Sequence, residues 1–118
     1  MNLHSALARL EGTFAARIRK GISVDGITLR AADSDRTAFT QLLTMLNEAE
    51  RLEMLPATTT IADRDGIAHE LPTAQVRAML VQYGGIYQSL WVQKVGLENA
   101  IKAAADDASR AAIPIKFA

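Results

Sequence analysis

The sequence predicts an α+β fold: two or three helices, a small antiparallel sheet built from two β-hairpins, and a long C-terminal helix. Three observations carry that expectation. In three segments apolar residues return every third or fourth position, the period of a helix. Two β-branched stretches are each interrupted by an Asp-x-Gly or Asp-Gly turn, the signal of a hairpin. Aromatic residues make up only 5% of the chain while alanine, the best helix former, is frequent.

The elements follow in order. Leu3, Leu7, Leu10, Phe14 and Ile18 share one face of an N-terminal helix over residues 1–20, and Gly21 is placed to stop it. Residues 21–31 hold the first hairpin, with Asp25-Gly26 accepting the positive φ angles of its turn. A second helix is expected over 33–55. Asp33 or Ser34 would cap it, Phe39, Leu42, Leu43, Leu46 and Ala49 would face inward, and Leu55-Pro56 would end it.

The second hairpin is expected over 58–71. Thr58-Thr-Thr-Ile-Ala62 is rich in β-branched residues, Ile67-Ala-His-Glu-Leu71 alternates, and Asp63-Arg-Asp-Gly66 makes the bend. Together the two hairpins would form one small sheet. Thr73 is the expected cap of a helix over 73–105, with Val76, Met79, Tyr83, Tyr87, Leu90, Leu97 and Ile101 on its apolar stripe and Lys94 as a polar interruption. Unbroken, that helix would reach about 50 Å, against a radius of gyration of about 13–14 Å for a compact chain of this size. Either Gly84-Gly85 breaks it or it projects and pairs with copies of itself. Trp91, Val92 and Val95 lie off the stripe and favour pairing. Residues 106–118 form a tail whose Ile113-Pro-Ile-Lys-Phe117 reads as an edge strand or a frayed end.

Length and composition narrow the function classes. With 118 residues, one domain is expected. Thirteen basic residues balance thirteen acidic ones, so no net field draws in nucleic acid or an anionic membrane. There are no cysteines, which removes disulfides, thiolate catalysis and cysteine-type zinc sites. No apolar run approaches the roughly 18 residues of a membrane span. The opening residues lack the charged-then-apolar pattern of a signal peptide. The expected setting is the cytoplasm or an assembly.

Candidate chemistry is sparse. Placing Gly66 at the invariant glycine of a calcium loop puts Ile61 at position 1 and Pro72 at position 12, neither of which supplies a carboxylate. His69 has no second histidine four residues away, and a solvent-facing strand histidine is the simpler reading. No nucleophile elbow surrounds Ser89, and Gly84-Gly85 is not followed by the residues of a phosphate loop. Asp33, Asp35, Asp106 and Asp107 read as helix-end residues. No catalytic, cofactor or metal residue is expected. The residues expected at an interface are Tyr83, Tyr87, Trp91, Val95 and Leu97, since amphipathic aromatics are favoured where proteins meet. An internal ridge against the sheet is the competing reading for the tyrosines.

The runs Ala16-Arg-Ile-Arg-Lys-Gly-Ile-Ser-Val-Asp-Gly26, Ala32-Asp-Ser-Asp-Arg36, Ala62-Asp-Arg-Asp-Gly66, Leu71-Pro-Thr-Ala74 and Ala100-Ile-Lys-Ala-Ala104 resemble a bacteriophage tail-associated domain of unknown function. The resemblance covers about Ala16 to Phe117. Asp35 stands where that family tends to have serine, and Thr58–Thr60 replace its usual tryptophan. The resemblance implies a non-enzymatic virion component, or a tail-fibre assembly factor, that contacts itself and other tail proteins in the virion or in the host cytoplasm during assembly. It brings no catalytic residues, nucleic acid, membrane or small-molecule substrate. Two alternatives stand beside it: a small adaptor or inhibitor of a host protein, and a metal-assisted hydrolase using Asp63, Asp65 and His69.

Overall fold

The computed structural model describes residues Met1–Ala118. The fold is α+β, with four helices and two antiparallel hairpins in the order α1 (Leu3–Arg19), β1 (Ile22–Val24), β2 (Ile27–Leu29), α2 (Asp33–Arg51), β3 (Thr58–Ala62), β4 (Ala68–Pro72), α3 (Thr73–Ala103) and α4 (Asp107–Ala111). The chain, read from its sequence as a single domain, gathers into two compact units: Met1–Ile18 with Gln88–Ala118, and Arg19–Tyr87.

In the first unit, α1 begins where the Asn2 side-chain oxygen accepts the Ser5 N–H at 2.8 Å, satisfying one of the donors a helix start leaves unpaired. Ala6 and Leu10 are buried with Ile101 of α3, and Leu7 and Leu97 pack against that cluster. The polar interruption of the α3 stripe has a local reason. Lys94 Nζ meets Glu11 Oε1 at 2.9 Å and lies 5.0 Å from the Phe14 ring centroid. Its stem packs while its charge is answered. The C-terminal segment is neither strand nor frayed. Asp106 caps the short helix α4 through Ser109 N–H at 2.7 Å, and Ile113, Ile115 and Phe117 then pack on the α1–α3 cluster. Phe117 sits 5.3 Å from Phe14.

The second unit carries both hairpins. Asp25 (φ 52) and Gly26 (φ 75) form the two-residue turn that pairs Val24 with Ile27 and Ile22 with Leu29, as a primed turn requires. The hairpins are two separate two-stranded sheets rather than one. With only three residues per strand, the first hairpin meets the second at its turn: Arg64 N–H donates to Thr28 O at 2.8 Å and Arg64 Nη1 to Lys20 O at 2.9 Å. Ile22, Val24, Leu29, Leu46, Ile61 and Met79 are among its buried residues.

Two helix ends differ from the sequence reading. The residue before α2 is Ala32, with no side-chain acceptor, so neither Asp33 nor Ser34 is the cap. Asp35 compensates by accepting the Ala32 N–H at 3.3 Å. α2 also stops at Arg51 and not at Leu55. Glu53 takes a left-handed φ of 59, its N–H donates to Glu50 O, and Met54 N–H donates to Ala49 O at 2.7 Å. That is a Schellman closure with glutamate where glycine is preferred. Glu53→Gly is therefore expected to raise stability by about 0.5–1 kcal/mol, read as a higher melting temperature.

α3 runs unbroken through Gly84-Gly85 over 31 residues, about 46 Å at 1.5 Å per residue. Thr73 is its first helical residue, not a preceding cap, and its hydroxyl pairs with that of Thr59 at 2.8 Å. A Cβ added at Gly85 would meet nothing within 4 Å. Gly85→Ala is accordingly expected to stabilise the helix by about 0.5–1 kcal/mol, which chemical denaturation would measure.

Candidate interaction surfaces

The Asp63–Gly66 bend is built for structure. Asp63 Oδ1 accepts the N–H groups of Asp65 and Ile67 at 2.9 and 3.0 Å, and Oδ2 meets His69 Nε2 at 2.9 Å. The His69 contact, then the Ile67 and Asp65 amides, hold the Asp63 carboxyl below the usual carboxylate range. Gly66 closes the turn at φ 81, with its N–H on Asp63 O at 3.0 Å. Both carboxylate oxygens are thus engaged in folding the loop. No three histidine, aspartate or glutamate side chains converge to hold an ion.

The five residues expected at an interface separate into two kinds. Tyr83 is 3% exposed. Its hydroxyl donates to Arg30 O at 2.6 Å and its ring meets Phe39 edge-on at 5.0 Å. Burial pushes its pKa up to about 12. It belongs to the interior of its unit, which corrects the interface expectation. Tyr87 is half-buried under the Arg36 guanidinium, 3.8 Å above its ring centroid. Leu97 packs on the Ala6–Leu10–Ile101 cluster and, like Val95, is half-buried. Trp91 alone of the five is exposed, at 45%, and Val92 beside it is exposed too.

A second apolar surface lies on α2, where the sequence reading named no site. Leu46 is buried, but Met45, the residue before it, is 57% exposed. The early helix end brings Leu52 and Met54 to the same surface, Met54 72% exposed. With Leu46, Ala49 and Pro56 these side chains line an open groove of about 710 Å³. Its polar edge is Thr40, Gln41, Thr44 and Glu48. The Arg51 guanidinium, whose Nε donates to Glu48 Oε1 at 3.0 Å, holds the Glu48 carboxyl below its usual range. The sequence shows only part of this surface: Met45 falls off the Phe39–Leu42–Leu46–Ala49 stripe, while Leu52 and Met54 join it only because α2 ends at Arg51.

Methionine is unbranched and polarisable, so a groove it lines adapts to the shape it receives. Trp91 has the opposite character, a large rigid side chain on a helix. Both surfaces expose apolar area to solvent. No protein family, no curated protein and no solved structure matches this chain.

Proposed function

We propose that this chain is a non-enzymatic protein that works through protein–protein contacts, assembling with copies of itself and with neighbouring proteins. The observation that carries the reading is the placement of large apolar side chains in water at two places, Trp91 and Val92 on α3, and Met45 of α2 with Leu52 and Met54 just beyond its end. Exposed apolar side chains gathered along one groove, as Met45, Leu52 and Met54 are, are the kind of surface that marks interaction sites. The engagement of Asp63 and His69 in turn geometry supports it by leaving the hydrolase alternative without a free ligand set. The resemblance to the phage tail-associated domain supplies the setting: a tail or tail-fibre component, or a fibre-assembly factor, in the virion or in the host cytoplasm during assembly.

Light scattering on the purified chain tests self-assembly directly. The expected result is a mass above that of the 12.8 kDa protomer at tens of micromolar, rising with concentration. A strict monomer under those conditions would overturn self-assembly and turn attention to the adaptor or inhibitor reading, which the adaptable groove along α2 favours.

A further inference from the structure

The two exposed apolar surfaces differ in form and belong to units of opposite net charge. Trp91 and Val92 project from α3 within the unit made of Met1–Ile18 and Gln88–Ala118. The groove of Met45, Leu46, Ala49, Leu52, Met54 and Pro56 is open and lies within Arg19–Tyr87. The first unit holds six basic residues (Arg9, Arg17, Lys94, Lys102, Arg110, Lys116) and four acidic ones (Glu11, Glu98, Asp106, Asp107), a net charge of +2. The second holds the remaining seven of the thirteen basic and nine of the thirteen acidic residues, a net charge of −2.

From this we infer that self-assembly is head-to-tail, with Trp91 and Val92 of one copy seated in the α2 groove of the next. This rests on the self-assembly proposed above and names the surfaces that perform it. Charge chooses the pairing. Like-with-like contact would bring +2 against +2 or −2 against −2, whereas unlike contact joins opposite fields, which steer association and fix register. Shape agrees. Tryptophan is enriched among the residues that dominate binding energy, and it does so when buried in a pocket. The groove is open and offers about 710 Å³ of space, room for an indole ring laid along it. The consequence is topological. A contact between two different surfaces leaves each copy with one of each unused, so it propagates into a ring or a filament, while a contact of identical surfaces closes at two.

Complementation between two defective variants separates these arrangements. Trp91→Glu removes the projecting surface and keeps the groove; Leu52→Glu spoils the groove and keeps the tryptophan. Each alone is expected to sediment as a monomer where the wild type associates, with association weakened about thirtyfold or more. An equimolar mixture is expected to form a 1:1 dimer and nothing larger, because one productive contact remains. Added salt should weaken that dimer. Val92→Glu and Met45→Glu, mixed in the same way, give a second pair if either first variant loses its circular dichroism spectrum. A mixture that stays monomeric while the wild type associates would overturn the head-to-tail contact and leave self-assembly standing, as would a single variant that still dimerises alone. A monomeric wild type would instead remove self-assembly itself.

Discussion

Gly21→Ala is expected to destabilise the Arg19–Tyr87 unit by about 3 kcal/mol, through two effects that add at one position. Gly21 follows α1 with a φ of +80, a region where an L side chain costs about 1–2 kcal/mol. It is also buried. A Cβ there would lie 2.5 Å from Leu29 O and 2.9 Å from Thr28 Cγ2. The threonine methyl can turn away, but Leu29 is paired with Ile22 in the hairpin ladder, so its carbonyl moves only if the hairpin does. Gly66→Ala supplies the comparison. Its φ is +81, yet an added Cβ would meet nothing within 4 Å, and the expected loss is about 1 kcal/mol from strain alone. Urea denaturation followed by far-ultraviolet circular dichroism measures both. Equal losses would show that the β1–β2 hairpin yields to the clash and that close approach is not what Gly21 provides.

The same position shows what was legible in the sequence. A glycine after an apolar stripe of period three to four announces a helix end, and the turn at Asp25-Gly26 fixes the first hairpin's register to the residue. Element order, both hairpins and the long α3 follow from such local signals. Helix ends closed by an unexpected residue did not: Glu53 in a left-handed conformation and Ala32 before α2 carry no residue-type signal. The separation of Tyr83 from Trp91 is a matter of geometry. At 3.6 residues per turn, a spacing of eight rotates a side chain by about 80°. A series at i, i+4, i+8 therefore drifts off the face on which it starts. Tyr83 lies inside and Trp91 has reached the surface. Leu97, fourteen residues from Tyr83, returns to within about 40° of it and is half-buried. The α2 groove was hidden for another reason. It depends on Leu52 and Met54 leaving the helix early, which the assumed end at Leu55 conceals.

Tyr83 also sets the response of its unit to alkali. In the folded chain its pKa is pushed up to about 12 from 10.0, first by burial, with the Arg36 charge opposing and Asp35 and Tyr87 adding to the rise. The unfolded chain binds fewer protons at this site than the folded chain between pH 10 and 12. Stability attached to the neutral phenol is thus complete below pH 10 and is lost as pH climbs towards 12. A rise of that size corresponds to about 2 to 3 kcal/mol, a large fraction of a small unit's margin. Tyr83→Phe keeps the ring against Phe39 but strands Arg30 O, which accepts the phenol at 2.6 Å, so it is expected to cost about 1–3 kcal/mol at neutral pH. Every other ionisable group is common to the two proteins, so the comparison isolates the tyrosine. The wild type should lose stability more steeply than the variant above pH 10, and the two should converge near pH 12. Parallel curves would mean that the hydroxyl ionises in the folded chain as freely as in water, and that the Arg30 contact does not hold it.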